Sequence, residues 1–327
     1  MARILHVTGY GVTIGASGGS LVIRSRGSSQ AVPPSDVDVV VVATSGVSVT
    51  SSAVRLMARL GVELVFLDSR GDPVAILYSS HTTRTTDTRR AQYQAIHDGR
   101  AQAIAAEIVG AKIHNQATHL RRLHRRLGAS VLREAAERLA SLEGEALGAP
   151  GAGGDWRRLL LEAEARAARE YWGALARILP VELGFRGRDR DSGDPVNMAL
   201  NYGYGILYAL AWRALVLAGL DPYAGFLHVD RSGKPVLAFD YVEMWRPVLV
   251  DAPLFEALLG GWRPPASGGR LDPEARARVA RLVKARLSRP CRGGEARLTC
   301  EEALRSYALR LARSLRASRP YEAYRGW

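Results

Sequence analysis

Apolar residues change their spacing once along this chain of 327 residues, and that change limits the folds open to it. Up to about Tyr78 they fall in short runs: Ile4 to Val7, Ser20 to Ile23, Val37 to Val42, Val47 to Val49, Leu64 to Leu67 and Pro73 to Leu77. Gly and Ser punctuate these runs, as expected of strands. One helix interrupts them, with Ser51 or Ser52 as its cap and a stop near Gly61. The stretch 79–90 (SSHTTRTTDTRR) is polar, has no apolar period and reads as a linker. Beyond it the pattern is helical, with breaks at 148–154 and 260–272. Strands at one end and helices at the other predict an α+β chain: a small β-rich domain over 1–78 and a larger α-helical domain over 91–327.

Charge narrows the partners. Lys and Arg number 45 against 32 Asp and Glu, a net of +13, and such a field favours nucleic acid or an acidic membrane surface. The span 260–327 alone holds 16 Lys and Arg against 6 Asp and Glu. The longest apolar stretch, Ile206 to Leu220, is interrupted by Arg213 and falls short of the roughly 20 residues of a membrane span. The opening MARILHVTGYGV lacks the apolar core of a signal peptide, so a cytoplasmic location is expected. Two cysteines, Cys291 and Cys300, cannot build a disulfide framework or a four-thiolate zinc site. They are read either as a pair or as two free thiols. The chain has only three Asn and five Gln, a depletion that hints at a thermophile, where intracellular disulfides are less exceptional.

Two groups of residues imitate sites. Gly9, Gly11 and Gly15 suggest a nucleotide loop, but no helix pattern follows, so a hairpin turn is expected. His114, His119 and His124 are each five residues apart on a helix, which turns successive imidazoles about 140° from one another. With Arg121, Arg122, Arg125 and Arg126 they read as a basic, solvated face.

The segment 156–178 is more informative. Measured at about 100° per residue from Glu164, residues Leu160, Ala168, Tyr171, Leu175 and Ile178 all fall within about 40° of it. Glu162, Arg166, Arg169, Glu170 and Arg177 lie on the opposite side, where charges belong. Glu164 therefore stands inside a buried stripe, where a carboxylate needs a proton, a partner such as Arg, or a metal. Downstream, Asn197, Asn201, Tyr204 and Tyr208 share a helix face. That face can line a cleft or bond to neighbouring helices. His228 then ends an apolar run before a turn at Asp230 to Gly233, and Asp240 and Glu243 stand three apart. A histidine, two close carboxylates and a misplaced glutamate form a more specific combination than any one of them.

Together these segments resemble the CRISPR spacer-acquisition integrases, the Cas-one endonucleases. GLDPYAGFLH is similar to the stretch that presents that family's metal-binding histidine, EAEARAAREYW to its glutamate helix, DPVNMALNYGYGILY to its central helix and FDYVEMWRP to its second acidic motif. GVSVTSSAVRLMARLGVELVFLDSRGDP is similar to its β-domain and AKIHNQ to its first long helix. The resemblance implies that the helical domain is catalytic and that Glu164, His228 and Glu243 are metal ligands. It makes Asp240 a nearby acidic residue and Arg246 a basic group beside the reacting phosphate, with Asn201 and Tyr208 as further catalytic candidates. Ala165 stands where the family often has Gly, and Glu243 where many members have Asp.

Two carboxylates and an imidazole suit Mg²⁺ or Mn²⁺ better than Zn²⁺, given a need for a labile, oxygen-rich site. A divalent ion stabilises charge on phosphoryl oxygens and activates an oxygen nucleophile, so no covalent protein nucleophile is required. Arg305, Arg310, Arg313 and Arg316 share one face of a C-terminal helix opposite Leu304, Leu311 and Leu315 and are expected to bind phosphates of double-stranded DNA. The resemblance further implies a homodimer that assembles with the Cas-two protein and joins DNA fragments into a CRISPR array. The rival from another class is a non-catalytic DNA-binding scaffold of the same fold.

Overall fold

A computed structural model describes residues 4–68, 73–77, 85–228, 233–291 and 298–326. The N-terminal region holds β1 (Ile4–Val7), β2 (Val12–Ser17), β3 (Ser20–Ser25), β4 (Ser28–Val32), β5 (Val39–Val42), β6 (Val47–Val49), α1 (Ser51–Leu60), β7 (Glu63–Leu67) and β8 (Pro73–Leu77). They form two four-stranded sheets, ordered β1-β5-β7-β8 and β4-β3-β2-β6. In the first, β1, β5 and β7 run parallel and β8 antiparallel. The α1 cap is Thr50, one residue earlier than expected: its side chain accepts from the Ala53 amide at 3.3 Å. Gly61 ends the helix in the left-handed region at φ 68°, which suits a residue without Cβ.

The run of four valines in β5 is buried throughout. Successive side chains of a strand point to opposite faces, so Val39 and Val41 enter the core of the helical region. Val40 and Val42 instead meet Ile14, Leu21 and Met57 in the smaller core under α1. One sheet thus serves both cores.

Helices follow: α2 (Thr85–His97), α3 (Arg100–Leu127), α4 (Ser130–Gly148), α5 (Trp156–Ala176), α6 (Pro195–Leu217), α7 (Val236–Glu243), α8 (Ala252–Leu259), α9 (Pro273–Leu287) and α10 (Cys300–Ala317). The minimal hairpins β9 (Ala266–Ser267) with β10 (Arg270–Leu271) and β11 (Pro290–Cys291) with β12 (Leu298–Thr299) flank α9. α6 is apolar all round and buried along almost its whole length, as befits a central helix. Gly203 lets it approach the turn after α7, since a Cβ there would lie 2.6 Å from Val250 Cγ1.

Three expectations are corrected and one open alternative is decided. The supposed linker 79–90 is helical from Thr85. Within it the Thr88 hydroxyl accepts from Arg316, and just beyond it Gln92 Nε2 donates to the carbonyls of Asp221 and Ala224 at 2.8 and 2.7 Å. Gly9 and Gly11 do not close a hairpin, because β1 and β2 belong to different sheets and Gly15 lies inside β2. His119 is not solvated but buried, bonded to the Tyr171 hydroxyl at 2.7 Å. His114 and His124 do diverge from it, toward Glu143 and the Ala129 carbonyl. The two cysteines are joined in a disulfide that ties β11 to the start of α10. The turn expected at 230–233 lies largely outside the described residues.

Candidate active site

Five side chains from three helices and the segments beside them make one charged cluster: Lys112 from α3, Glu164 from α5, Glu243 at the end of α7, Arg246 just beyond it, and His228 between α6 and α7. Lys112 Nζ stands 2.6 Å from Glu164 Oε1 and 2.6 Å from Glu243 Oε2. The second oxygen of Glu243 accepts from Arg246 Nη1. Both carboxylates are largely buried, Glu164 at 13% and Glu243 at 6% side-chain exposure. The cations Arg246 and Lys112 offset the burial that would otherwise raise the Glu243 carboxyl, holding it below the usual range.

His228 is held from behind. Its Nδ1 is 2.6 Å from Asp240 Oδ1, and the other Asp240 oxygen accepts from the Phe226 and Leu227 amides at 2.7 and 2.9 Å. Asp240 is fully buried, and this set of donors fixes its carboxyl group so that it points the imidazole. The Asp240 hydrogen bond, with the charges of Asp240, Glu164 and Glu243, raises the imidazole above its ordinary value against the pull of burial. The close fit requires Gly225, where a Cβ would lie 2.9 Å from Asp240 Oδ2 and 2.5 Å from Val236 Cγ1.

A second buried network supports Arg246, whose guanidinium lies 4.7 Å over the Tyr204 ring. Tyr204 and Tyr171 donate to the two oxygens of Asp251 at 2.6 and 3.1 Å. Burial pushes the Asp251 carboxyl up to about 7 and the His119 imidazole down to about 3. His119 is thereby a neutral partner of Tyr171. Arg188 reaches the Tyr204 ring as well, at 5.4 Å, while donating to Asn197 and Asn201 at 2.9 and 2.5 Å.

The sequence candidates separate accordingly. Glu164, His228, Asp240, Glu243 and Arg246 come together. Asn201 instead holds the loop over 187–190, through Arg188 and the Arg190 carbonyl, at the edge of a cleft of about 750 Å³ between the β-region and α6. Tyr208 packs against Trp212 and Phe239, and the tyrosine that reaches Arg246 is Tyr204. On α10, Arg310 and Arg313 face solvent and Arg316 is exposed while donating to Thr88, whereas Leu304, Leu311 and Leu315 are buried. Arg305 is partly withdrawn, paired with Glu301 and 3.9 Å from Asp38. Lys112, Tyr171, Arg188 and Asp251 were not anticipated.

The donor set suits a divalent ion: two carboxylates and an imidazole oriented by a carboxylate. Among the described residues, however, no three acidic, histidine or cysteine side chains are drawn together as a metal would draw them. Lys112 closes the cluster instead.

Comparison with known proteins gives a consistent picture. Residues 5–284 match the family model described as CRISPR associated protein Cas1. The chain is 34% identical over 325 residues, 99% of its length and 98% of the relative's, to CRISPR-associated endonuclease Cas1 2 of Saccharolobus solfataricus. Among solved structures it is similar to a casposase bound to integration product, at TM-score 0.84 and 22% identity, covering 98% of this chain and 92% of that one. It is also similar to part of a Cas6-RT-Cas1–Cas2 complex, at TM-score 0.79 and 22% identity, covering 100% of this chain and 36% of that one.

Proposed function

Since the chain belongs to the Cas1 family of CRISPR-associated proteins, we propose that it is a metal-dependent DNA endonuclease and integrase, joining captured DNA fragments into a CRISPR array by transesterification. The observation that carries this reading is the buried cluster itself: Glu164 and Glu243 converge from separate helices beside a histidine that Asp240 aims. Two carboxylates held this close in a largely buried place require a cation, and a catalytic role gives a reason to keep them.

Glu164, His228 and Glu243 would hold Mg²⁺ or Mn²⁺. Bound there, the ion supplies Lewis-acid stabilisation to the phosphoryl oxygens and activates a hydroxyl or water. The protein's own part is positional. Asp240 fixes the imidazole so that Nε2 is free, and Arg246, seated on Tyr204, presents a guanidinium to a phosphate. Arg310, Arg313 and Arg316 grip the backbone of double-stranded DNA without reading bases. A DNA 3′ hydroxyl held in line has a large effective concentration over exchanging water, so joining is favoured over hydrolysis when both are possible. A homodimer would supply one such site for each fragment end, and the complex containing Cas1 and Cas2 that shares this fold supports a Cas2 partner.

A strand-joining assay with labelled fragment, array DNA and the Cas2 partner tests the reading. Joined product is expected only with divalent metal and a free 3′ hydroxyl, and it should vanish in Glu164→Ala, His228→Ala and Glu243→Ala variants that keep their helical circular dichroism. DNA binding without metal-dependent cleavage or joining would favour the scaffold. Joining of dideoxy-ended fragments would reject transesterification.

A further inference from the structure

We infer that Lys112 is an exchangeable cation of this cluster: its ammonium holds Glu164 and Glu243 together when no divalent ion is bound, and leaves both carboxylates when one binds. The inference rests on the metal-dependent reading above and concerns what this chain does to prepare the site.

The cluster is closed by its own cations. Nζ lies 2.6 Å from an oxygen of each glutamate, and the remaining oxygen of Glu243 is taken by Arg246. Both oxygens of Glu243 thus face a cation, and one must withdraw, or share against like-charge repulsion, before Glu243 can ligate a metal. Arg246 is fixed twice, by Glu243 and by the face of Tyr204 at 4.7 Å. Among the described residues Lys112 is held by the two glutamates alone, on a flexible four-carbon stem with a compact ammonium. It is the group that can leave.

Charge balance points the same way. Glu164, Asp240 and Glu243 stand against Lys112 and Arg246, one net negative charge with His228 neutral. A divalent ion makes the cluster positive by one, and a phosphodiester restores neutrality. The displaced ammonium then finds its new partner in that phosphodiester. Lys112 would thus keep the carboxylates from repelling each other before metal and contribute to holding DNA after it.

The test uses the full chain without DNA, with Mn²⁺ alone as probe and binding followed by electron paramagnetic resonance. Lys112→Met, similar in length but uncharged, is expected to bind Mn²⁺ about tenfold more tightly than the parent, within the usual range for two coupled ligands. Equal or weaker binding by folded Lys112→Met would overturn the inference. A crystal of the unmodified protein grown with Mn²⁺ gives an answer independent of that variant's folding: Nζ is expected to have left both carboxylates. Mn²⁺ bound with Lys112 still bridging would overturn the exchange and leave the metal reading standing, whereas no Mn²⁺ at Glu164 in either protein would remove both.

Discussion

Asp240 shows how one side chain sets the behaviour of another. Its carboxylate meets two backbone amides and the His228 imidazole at 2.6–2.9 Å, so His228 arrives already oriented. Asp240→Asn keeps the volume but puts an N–H where one of those donors points. The variant is expected to fold and to lose about 10- to 100-fold in Mn²⁺ affinity, the usual effect of removing a ligand's orienting partner. A calorimetric titration with unchanged affinity would show that Asp240 serves the fold alone. The same scale shows what was legible in advance. Glu164 stood out because a charge interrupts an apolar stripe, and Lys112 obeys the same rule: Ala105, Ile108, Gln116, His119 and Leu123 lie within about 40° of it at 100° per residue, and all five are buried. The stripe of α3 was open to the same count. It was obscured by its own polar members, whose burial depends on partners elsewhere in the chain, such as Tyr171 for His119.

Among the elements, α10 divides its two faces as its sequence indicates, with leucines inside and Arg310, Arg313 and Arg316 outside. Replacing these three by Ala is expected to weaken duplex binding and to reduce the log-log salt slope by about 0.9 for each phosphate that an arginine no longer neutralises. An unaltered slope would place the DNA-binding surface elsewhere. Arg305 is left out of this set because it pairs with Glu301 on its own helix and lies near Asp38; its approach to Asp38 comes from tertiary packing and has no trace in helical spacing. Elements escaped notice for the same kind of reason. β4 (SSQAV) is exposed along most of its length at a sheet edge, so it shows no apolar alternation. α2 is polar even on its buried side, where Gln92 bonds to backbone carbonyls and Thr88 accepts from Arg316, with Ala91 and Ala95 as its contact to the apolar core.

At the scale of the whole molecule, the β-region and the helices are joined by a shared sheet and a few arginines. Arg213 of α6 donates to the carbonyls of Asp38 and Gly61 at 2.7 and 2.8 Å, and Arg276 of α9 to that of Ala43 at 2.7 Å. Beside Arg213 lies Glu63, 5% exposed, with one oxygen 3.9 Å from the guanidinium and the other without a hydrogen bond among the described residues. Burial pushes the Glu63 carboxyl up to about 8, against the pull of Arg213 and Arg305. In the unfolded chain it titrates near its ordinary value of 4.5. Between these values the folded protein holds a proton that the unfolded chain has released, so stability falls as pH rises through that window and levels off above it. Glu63→Gln cannot titrate and keeps the neutral form. Relative to the parent it is expected to gain stability steadily from about pH 5 to pH 8, by at most about 1.4 kcal/mol per pH unit. Arg213→Met should act in the opposite sense, lowering stability by about 1–3 kcal/mol because the carbonyls of Asp38 and Gly61 lose their donor. It should also extend the pH slope beyond that of the parent, since the charge that lowered the Glu63 carboxyl is gone. Denaturant midpoints of the three proteins across this range decide the matter: parallel pH profiles for the parent and Glu63→Gln would mean that Glu63 is ionised at the interface throughout, and that Arg213 neutralises it fully.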